Sequence, residues 1–274
     1  MPPFVTFLSD FGLQDDFVGT CHGVIRRIAP DAAVIDITHG IPPQAVLQGA
    51  LVLANTVPYM PVGVHLAVVD PGVGSSRRPL ALRDTEGRFY VGPDNGLLLP
   101  AVQRAGIEDA RELANPAYAL EQISRTFHGR DLFAPAAAHL ATGVPLAELG
   151  PPIDPDALVQ LDLPEPAIGE TGIDATTLYV DSFGNIALNL TRDDVERIGI
   201  VPGTRVELDL GGEQYYAVAA RTFADARHGD VILYEDSYRN MSVAISNGSA
   251  GSMLHATPGL PIRIRLLGPS VPMR

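Results

Sequence analysis

The chain has 274 residues, enough to bury a sizeable core in one large domain or two modest ones. Apolar residues make up 46% and charged residues 19%, which excludes bulk disorder. Lys plus Arg is 19 and Asp plus Glu is 32, so the net charge of −13 argues against phosphate backbones and anionic membranes as partners. The first predicted element is a buried strand over Val5–Leu8, ending in Ser9-Asp10-Phe11-Gly12. Apolar residues at helical spacing predict a helix over Phe17–Ile28, stopped at Pro30. A second strand over Ala33–Ile37 ends at Thr38-His39-Gly40, and Gln44–Thr56 reads as a helix. A third strand over Val64–Val69 runs into Asp70-Pro71-Gly72. Leu80–Arg83 and Phe89–Val91 form an added hairpin, and Leu97–Arg104 and Leu132–Ala141 read as helices. Alternating strands and helices predict an α/β domain with a mostly parallel sheet.

Prolines 151, 152, 155, 164 and 166 crowd the window from 150 to 172 and predict an extended linker. Beyond it the pattern is β: Thr177–Val180, Ile186–Leu190, Thr204–Leu210, Tyr215–Ala220, Val231–Tyr234, Ser242–Ile245 and Ile262–Leu267. Gly211-Gly212 marks a hairpin, and Thr191 caps one short helix beginning at Arg192. Such short strands predict a C-terminal all-β barrel. The domain expectation is therefore 1–160 for the α/β domain, 161–172 for the linker and 173–274 for the barrel.

One cysteine, Cys21, excludes an internal disulfide and a cysteine-built zinc site. The seven histidines lack metal-ligand spacing, so no metal site and no cofactor are predicted. The N-terminus has no signal-peptide pattern and no apolar stretch is long enough to span a bilayer; the expectation is a soluble cytoplasmic protein.

Asp10, His39 and Asp70 each follow a strand, where open α/β sheets place their ligands. As turn formers and helix caps, such residues have an ordinary structural explanation of about equal weight. Gly72-Val73-Gly74-Ser75-Ser76-Arg77 fails the dinucleotide fingerprint, with Arg at the third glycine position. Its two glycines would let backbone approach a ligand closely. Phe127-His128-Gly129-Arg130-Asp131 adds an imidazole and a guanidinium suited to holding and polarising a water. Ordinary ion pairing with local acids equally accounts for Arg77 and Arg130, and a satisfied buried imidazole for His128. On the residues alone, the chain reads as an enzyme of α/β plus β architecture binding a small polar ligand.

Several segments taken together resemble the S-adenosyl-L-methionine hydroxide adenosyltransferases, relatives of the fluorinase and chlorinase enzymes. They are Phe7–Gly12, Val69–Gly74, Gly92-Pro93-Asp94-Asn95-Gly96, Thr126–Asp131, Asp181-Ser182-Phe183-Gly184-Asn185 and Tyr234–Ser237. Each is weak alone, but their joint order is specific and spans nearly the whole chain. The resemblance implies an N-terminal α/β domain, a C-terminal β-barrel, and a homotrimer whose site lies between one subunit's N-domain and a neighbour's C-domain. It implies hydrolysis of S-adenosyl-L-methionine to adenosine and L-methionine by water or hydroxide attack on the ribose C5′, with no added cofactor.

By motif position Asp70, Arg77 and His128 match the hydrolytic Asp–Arg–His set. Asp10 matches a ribose-binding Asp, and Asp181 and Ser237 match residues holding the methionine ammonium and carboxylate. Asn185 matches an adenine contact, with Phe223 stacking on the base. Halogenating members carry Tyr where Asp70 stands, Ser where Gly129 stands, and an extra loop before the segment at Gly92; their absence favours the hydrolase. Two departures concern recognition: Tyr238 stands where halogenating members have Arg, and Asp181-Ser182-Phe183 is one residue shorter. The alternatives are a halide-dependent 5′-adenosyl transferase and a nucleoside or S-adenosylmethionine binding protein with little turnover.

Overall fold

The computed structural model describes residues 3–267; residues 1–2 and 268–274, which close the predicted domain ranges, lie outside it. The chain divides into two compact units, Met1–Leu161 and Asp162–Arg274.

In the first unit β1 (Phe4–Ser9), α1 (Phe17–Ile28), β2 (Ala33–Thr38), α2 (Val46–Thr56), β3 (Val64–Val68), β4 (Pro79–Asp84), β5 (Phe89–Pro93), α3 (Leu99–Val102), β6 (Ile107–Glu112) and α4 (Ala134–Ala141) follow in order. The sheet order is β2-β1-β3-β5-β4-β6. β2, β1, β3 and β5 run parallel, while β4 is antiparallel to both its neighbours. The α/β expectation with a mostly parallel sheet and an added hairpin holds. Strand periodicity sends Val5 and Phe7 to a core under α1 and α4, and Leu8 to the opposite core under α2 and α3. Both sheet faces are thus covered, as parallel strands require.

Three predicted helices of this unit shift, and one strand went unpredicted. The helix expected from Gln44 starts at Val46, because Gln44 sits at φ 67 and cannot enter the helix. The helix expected over Leu97–Arg104 is a single turn, Leu99–Val102. The helix expected from Leu132 is entered through a π-type turn over Gly129–Phe133. Ile107–Glu112 was not predicted as a strand; its sequence IEDARE is charged, which suits the sheet edge it occupies.

The Pro-rich window serves several uses. Pro152 makes an isolated bridge with Arg111, and Pro155–Ala157 form a 3₁₀ turn. β7 (Ala167–Ile168) already pairs with the next strand.

The second unit contains β8 (Gly172–Val180), β9 (Ile186–Thr191), α5 (Arg192–Glu196), β10 (Arg205–Leu210), β11 (Glu213–Ala219), β12 (Val231–Glu235), β13 (Asn240–Ile245), α6 (Ala250–Met253) and β14 (Pro261–Leu266). The order β14-β10-β11-β12-β13-β9-β8 closes through β14–β8 pairing, giving the expected barrel. Its inward residues, among them Ile173, Leu188, Val206, Leu233 and Ile264, form one apolar core. Gly211 and Gly212 both have positive φ and turn β10 into β11. Thr191 caps α5 as predicted, in a reciprocal capping box with Asp194.

Candidate active site

Three predicted residues converge in the first unit. Asp70 follows β3 and Arg77 ends the tight loop that begins there. The Arg77 guanidinium donates from Nε to both Asp70 carboxylate oxygens, at 2.9 and 3.1 Å, and from Nη2 to Oδ2. The pair is well covered, with side-chain exposures of 9% and 6%. Arg77 also sits over the Phe133 ring, 5.1 Å from its centroid.

Arg77 Nη2 lies 2.8 Å from His128 Nδ1. Guanidinium has no acceptor, so Nδ1 must be the accepting nitrogen and the neutral ring carries its hydrogen on Nε2. The electrostatics agree: burial, then the Arg77 charge, pushes the His128 pKa below its ordinary value. The π-type turn that begins at Gly129 follows directly on His128.

Asp10 faces the same cavity, of about 310 Å³, which is also lined by Phe11, Gln44, Asp70, Phe127 and His128. One Asp10 oxygen accepts the Gln44 N–H at 2.9 Å, a contact made by the left-handed backbone of Gln44. Burial, only partly offset by that hydrogen bond, raises the Asp10 pKa. The other acceptor positions of this carboxylate suit a vicinal diol. Gln44 is the residue that sequence reasoning missed here; no periodicity signals a non-glycine residue at positive φ.

The flanking glycines serve packing. At Gly74 φ is +78, and a Cβ would lie 2.5 Å from the Arg125 carbonyl. At Gly72 a Cβ would meet Arg77 Cγ at 3.3 Å. Both glycines therefore shape the loop that carries Arg77. Asp94 accepts from Arg78 Nε at 2.8 Å and from Val159 N–H at 2.9 Å, and Asn95 Nδ2 donates to the Val69 carbonyl at 2.8 Å. Those two residues tie the first unit together. Arg130 pairs with buried Asp131 at 2.6 Å, the ordinary explanation for that arginine. Cys21 is a buried free thiol whose pKa burial pushes up to about 12, a packed residue.

The other predicted residues lie in the second unit. Asp181 and Asn185 clasp the β8–β9 turn. Asp181 Oδ1 accepts the Phe183 and Asn185 N–H groups at 2.9 and 2.8 Å, and its Oδ2 accepts Asn185 Nδ2 at 2.8 Å. Phe223, 42% exposed, packs against Tyr234 at 4.9 Å between centroids. Ser237 is exposed in the β12–β13 turn. That turn is organised by Asp236, also missed from sequence, which accepts from Tyr238 N–H at 2.8 Å and Ser242 Oγ at 3.1 Å. Tyr234 feels the charges of both Asp181 and Asp236, and with burial as the larger cause its pKa rises to about 12.

His39, flagged after β2, points elsewhere. It forms a cluster with His22 and Asp36, groups that the scattered spacing of the histidines did not connect.

Comparison with known proteins matches these units to one family. A family model for the SAM hydroxide adenosyltransferase N-terminal domain matches residues 5–150, and one for the C-terminal domain matches residues 175–263. An (R)-S-adenosyl-L-methionine hydrolase of Salinispora arenicola is 47% identical over 263 residues, covering 96% of this chain and 97% of that protein. A fluorinase of Nocardia brasiliensis is 28% identical, with 96% and 97% covered. The crystal structure of an uncharacterized conserved protein from Thermotoga maritima superposes with a TM-score of 0.87 at 33% identity, covering 95% of this chain and 99% of that one. With both domain models matched in order and a relative at nearly half identity, the chain belongs to the SAM hydroxide adenosyltransferase family.

Proposed function

We propose that the protein hydrolyses S-adenosyl-L-methionine to adenosine and L-methionine. The observation that carries this reading is that Asp70 and His128, bridged by Arg77, line one cavity with the Asp10 carboxylate. Relatives named (R)-S-adenosyl-L-methionine hydrolase support it.

The water oxygen attacks C5′ as the C5′–S bond breaks, its electron pair leaving with the neutral thioether of methionine. A sulfonium needs no general acid to depart, so the protein's task is to aim and desolvate the nucleophile. Asp70 accepts a hydrogen bond from the water, Arg77 fixes that carboxylate bidentately, and as the C5′–O bond forms the water's surplus proton passes to bulk solvent. His128, already protonated on Nε2, donates rather than abstracts. Asp10 holds the ribose hydroxyls. In the second unit Asp181 and Ser237 take the methionine ammonium and carboxylate, Asn185 the adenine edge and Phe223 its face. The substrate supplies its own leaving group, and no cofactor enters these steps.

We further propose a homotrimer that completes each site with the second unit of a neighbouring subunit. It is supported by the family resemblance and by the division of the assigned groups: the water-handling residues sit in the first unit, the adenine- and methionine-binding ones in the second. A cytoplasmic location belongs to the same reading and is in keeping with a single, buried free thiol. A halide-using transferase is the second reading, favoured by the fluorinase similarity; Asp70 and Gly129 stand against it.

The test is incubation of the purified protein with the separated (R) and (S) sulfonium epimers, followed by chromatography. Adenosine and methionine in equal amounts from either epimer support the reading. No adenosine at high enzyme concentration overturns it. A 5′-halo-5′-deoxyadenosine formed in chloride or fluoride would establish the second reading instead. Sedimentation as a monomer would refute the shared site.

A further inference from the structure

Three side chains unconnected with the reaction meet at the β2 end of the first sheet. His22 projects from α1, Asp36 from β2, and His39 from the turn after β2. Asp36 Oδ1 is 2.8 Å from His22 Nε2 and 3.1 Å from His39 Nε2. All three donor atoms lie within 4.8 Å of one another.

The environment of His39 points to a missing partner. Its side chain is 2% exposed, packed edge-on against Phe7 with centroids 4.6 Å apart. Ser9 Oγ sits 2.7 Å from Nδ1 and fixes the ring. Nε2 is buried without a hydrogen-bond partner: Asp36 is near enough but off the direction that a hydrogen on Nε2 would take. A buried imidazole nitrogen left in this way needs an explanation. When Nδ1–H faces Ser9, Nε2 is a bare lone pair aimed beside a carboxylate oxygen, and a cation between the two removes the repulsion.

We propose that His22, Asp36 and His39 bind one first-row divalent cation of the zinc class. Two imidazoles and a carboxylate suit such an ion better than magnesium or calcium, which favour all-oxygen shells. Tetrahedral zinc with bonds of about 2.0–2.1 Å sets ligand atoms about 3.3 Å apart. The observed 2.8 and 3.1 Å edges reach that by a shift of about half an ångström. His22 and Asp36 are 34% and 40% exposed, which gives the ion a way in and leaves room for a water as fourth ligand. Ser9 Oγ on the far nitrogen of His39 takes the outer-shell place that a carboxylate, carbonyl or water ordinarily fills at a metal-bound histidine. Ser9 Oγ also accepts the Phe11 N–H at 3.3 Å, and the His39 carbonyl accepts the Gly12 N–H at 2.8 Å. The ion would therefore brace the loop that carries Asp10, while taking no part in the chemistry.

The test uses tag-free full-length protein stripped with chelator and dialysed against zinc, then against cobalt(II). The expected result is one zinc per chain at micromolar concentration or tighter. Bound cobalt should show visible ligand-field absorption of four-coordinate strength, and zinc should raise the thermal midpoint. H22A, on a partly exposed helix face, and D36N should each weaken zinc binding by about tenfold or more and abolish the midpoint rise. If H39Q fails to fold, these two variants still decide the matter. Binding only at millimolar zinc, or stoichiometric binding unchanged in H22A and D36N, would overturn the proposal. None of these readouts depends on turnover.

Discussion

The two units bury different kinds of side chain. Among the described residues, the interior of Met1–Leu161 holds His39, His65, Asp84, Asp94 and Asp131, and the Asp70–Arg77 pair is nearly as well covered. Among its described residues the barrel buries Thr177, Ser242 and Ser246, and no carboxylate or imidazole. Its assigned binding groups ride on turns instead, each held by an aspartate that clasps its own loop. On the proposed reaction, the covered Asp70–Arg77 pair lies where a nucleophile is aimed, and the barrel's groups lie near the surface where the ligand is recognised.

Four experiments would break or sharpen this contrast. The largest effect is expected from Arg77→Met, which strands a covered carboxylate. Breaking a buried pair in this way costs about 3–5 kcal/mol, read as a lower urea midpoint together with lost turnover. A wild-type midpoint would show that the first unit does not depend on the pair.

Next comes acid. Burial, then Arg88, holds the His65 pKa at about 4, and His128 is displaced in the same direction. The folded state therefore binds fewer protons than the unfolded chain, whose histidines titrate near 6.5. The stabilisation is complete above that value and is lost as pH falls toward 4, about 3 kcal/mol for His65. Hydrogen exchange corrected for intrinsic rates should show the first unit opening through this window while the barrel stays protected. Equal loss of protection in both units would contradict the contrast.

Asp70→Asn should lower turnover by about 10²-fold and leave adenosine affinity by calorimetry nearly unchanged. A matching loss of affinity would make Asp70 a binding group. The smallest effect is expected in the barrel: Asp181→Ala should raise KM about tenfold with kcat retained. A fall in kcat alone would place the barrel turn in the chemistry.

The sheet and barrel were legible because apolar runs bounded by Gly, Pro and Asp report strands directly. Ile107–Glu112 escaped, since a charged edge strand has no apolar run to report. The convergence of Asp70, Arg77 and His128 was reachable only through family motifs; Arg77 and His128 are 51 residues apart and joined by tertiary structure alone. His22, Asp36 and His39 were invisible for the same reason, with His22 and Asp36 14 residues apart on a helix and a strand. Gln44 was hidden by its backbone: a left-handed glutamine carries no compositional mark. In the barrel, motif matching found Asp181 and Asn185 but could not show that they bond to each other.

The place of Arg77 in the middle of its chain has one more consequence. Its hydrogen bonds run outward in both directions, toward Asp70 and toward His128. A guanidinium neither accepts a hydrogen nor gives one up near neutral pH, so it insulates the two ends from each other. In the proposed reaction, a proton shed near Asp70 therefore does not pass through Arg77 to the imidazole. The three residues, so close in space, form a scaffold for charge and not a relay.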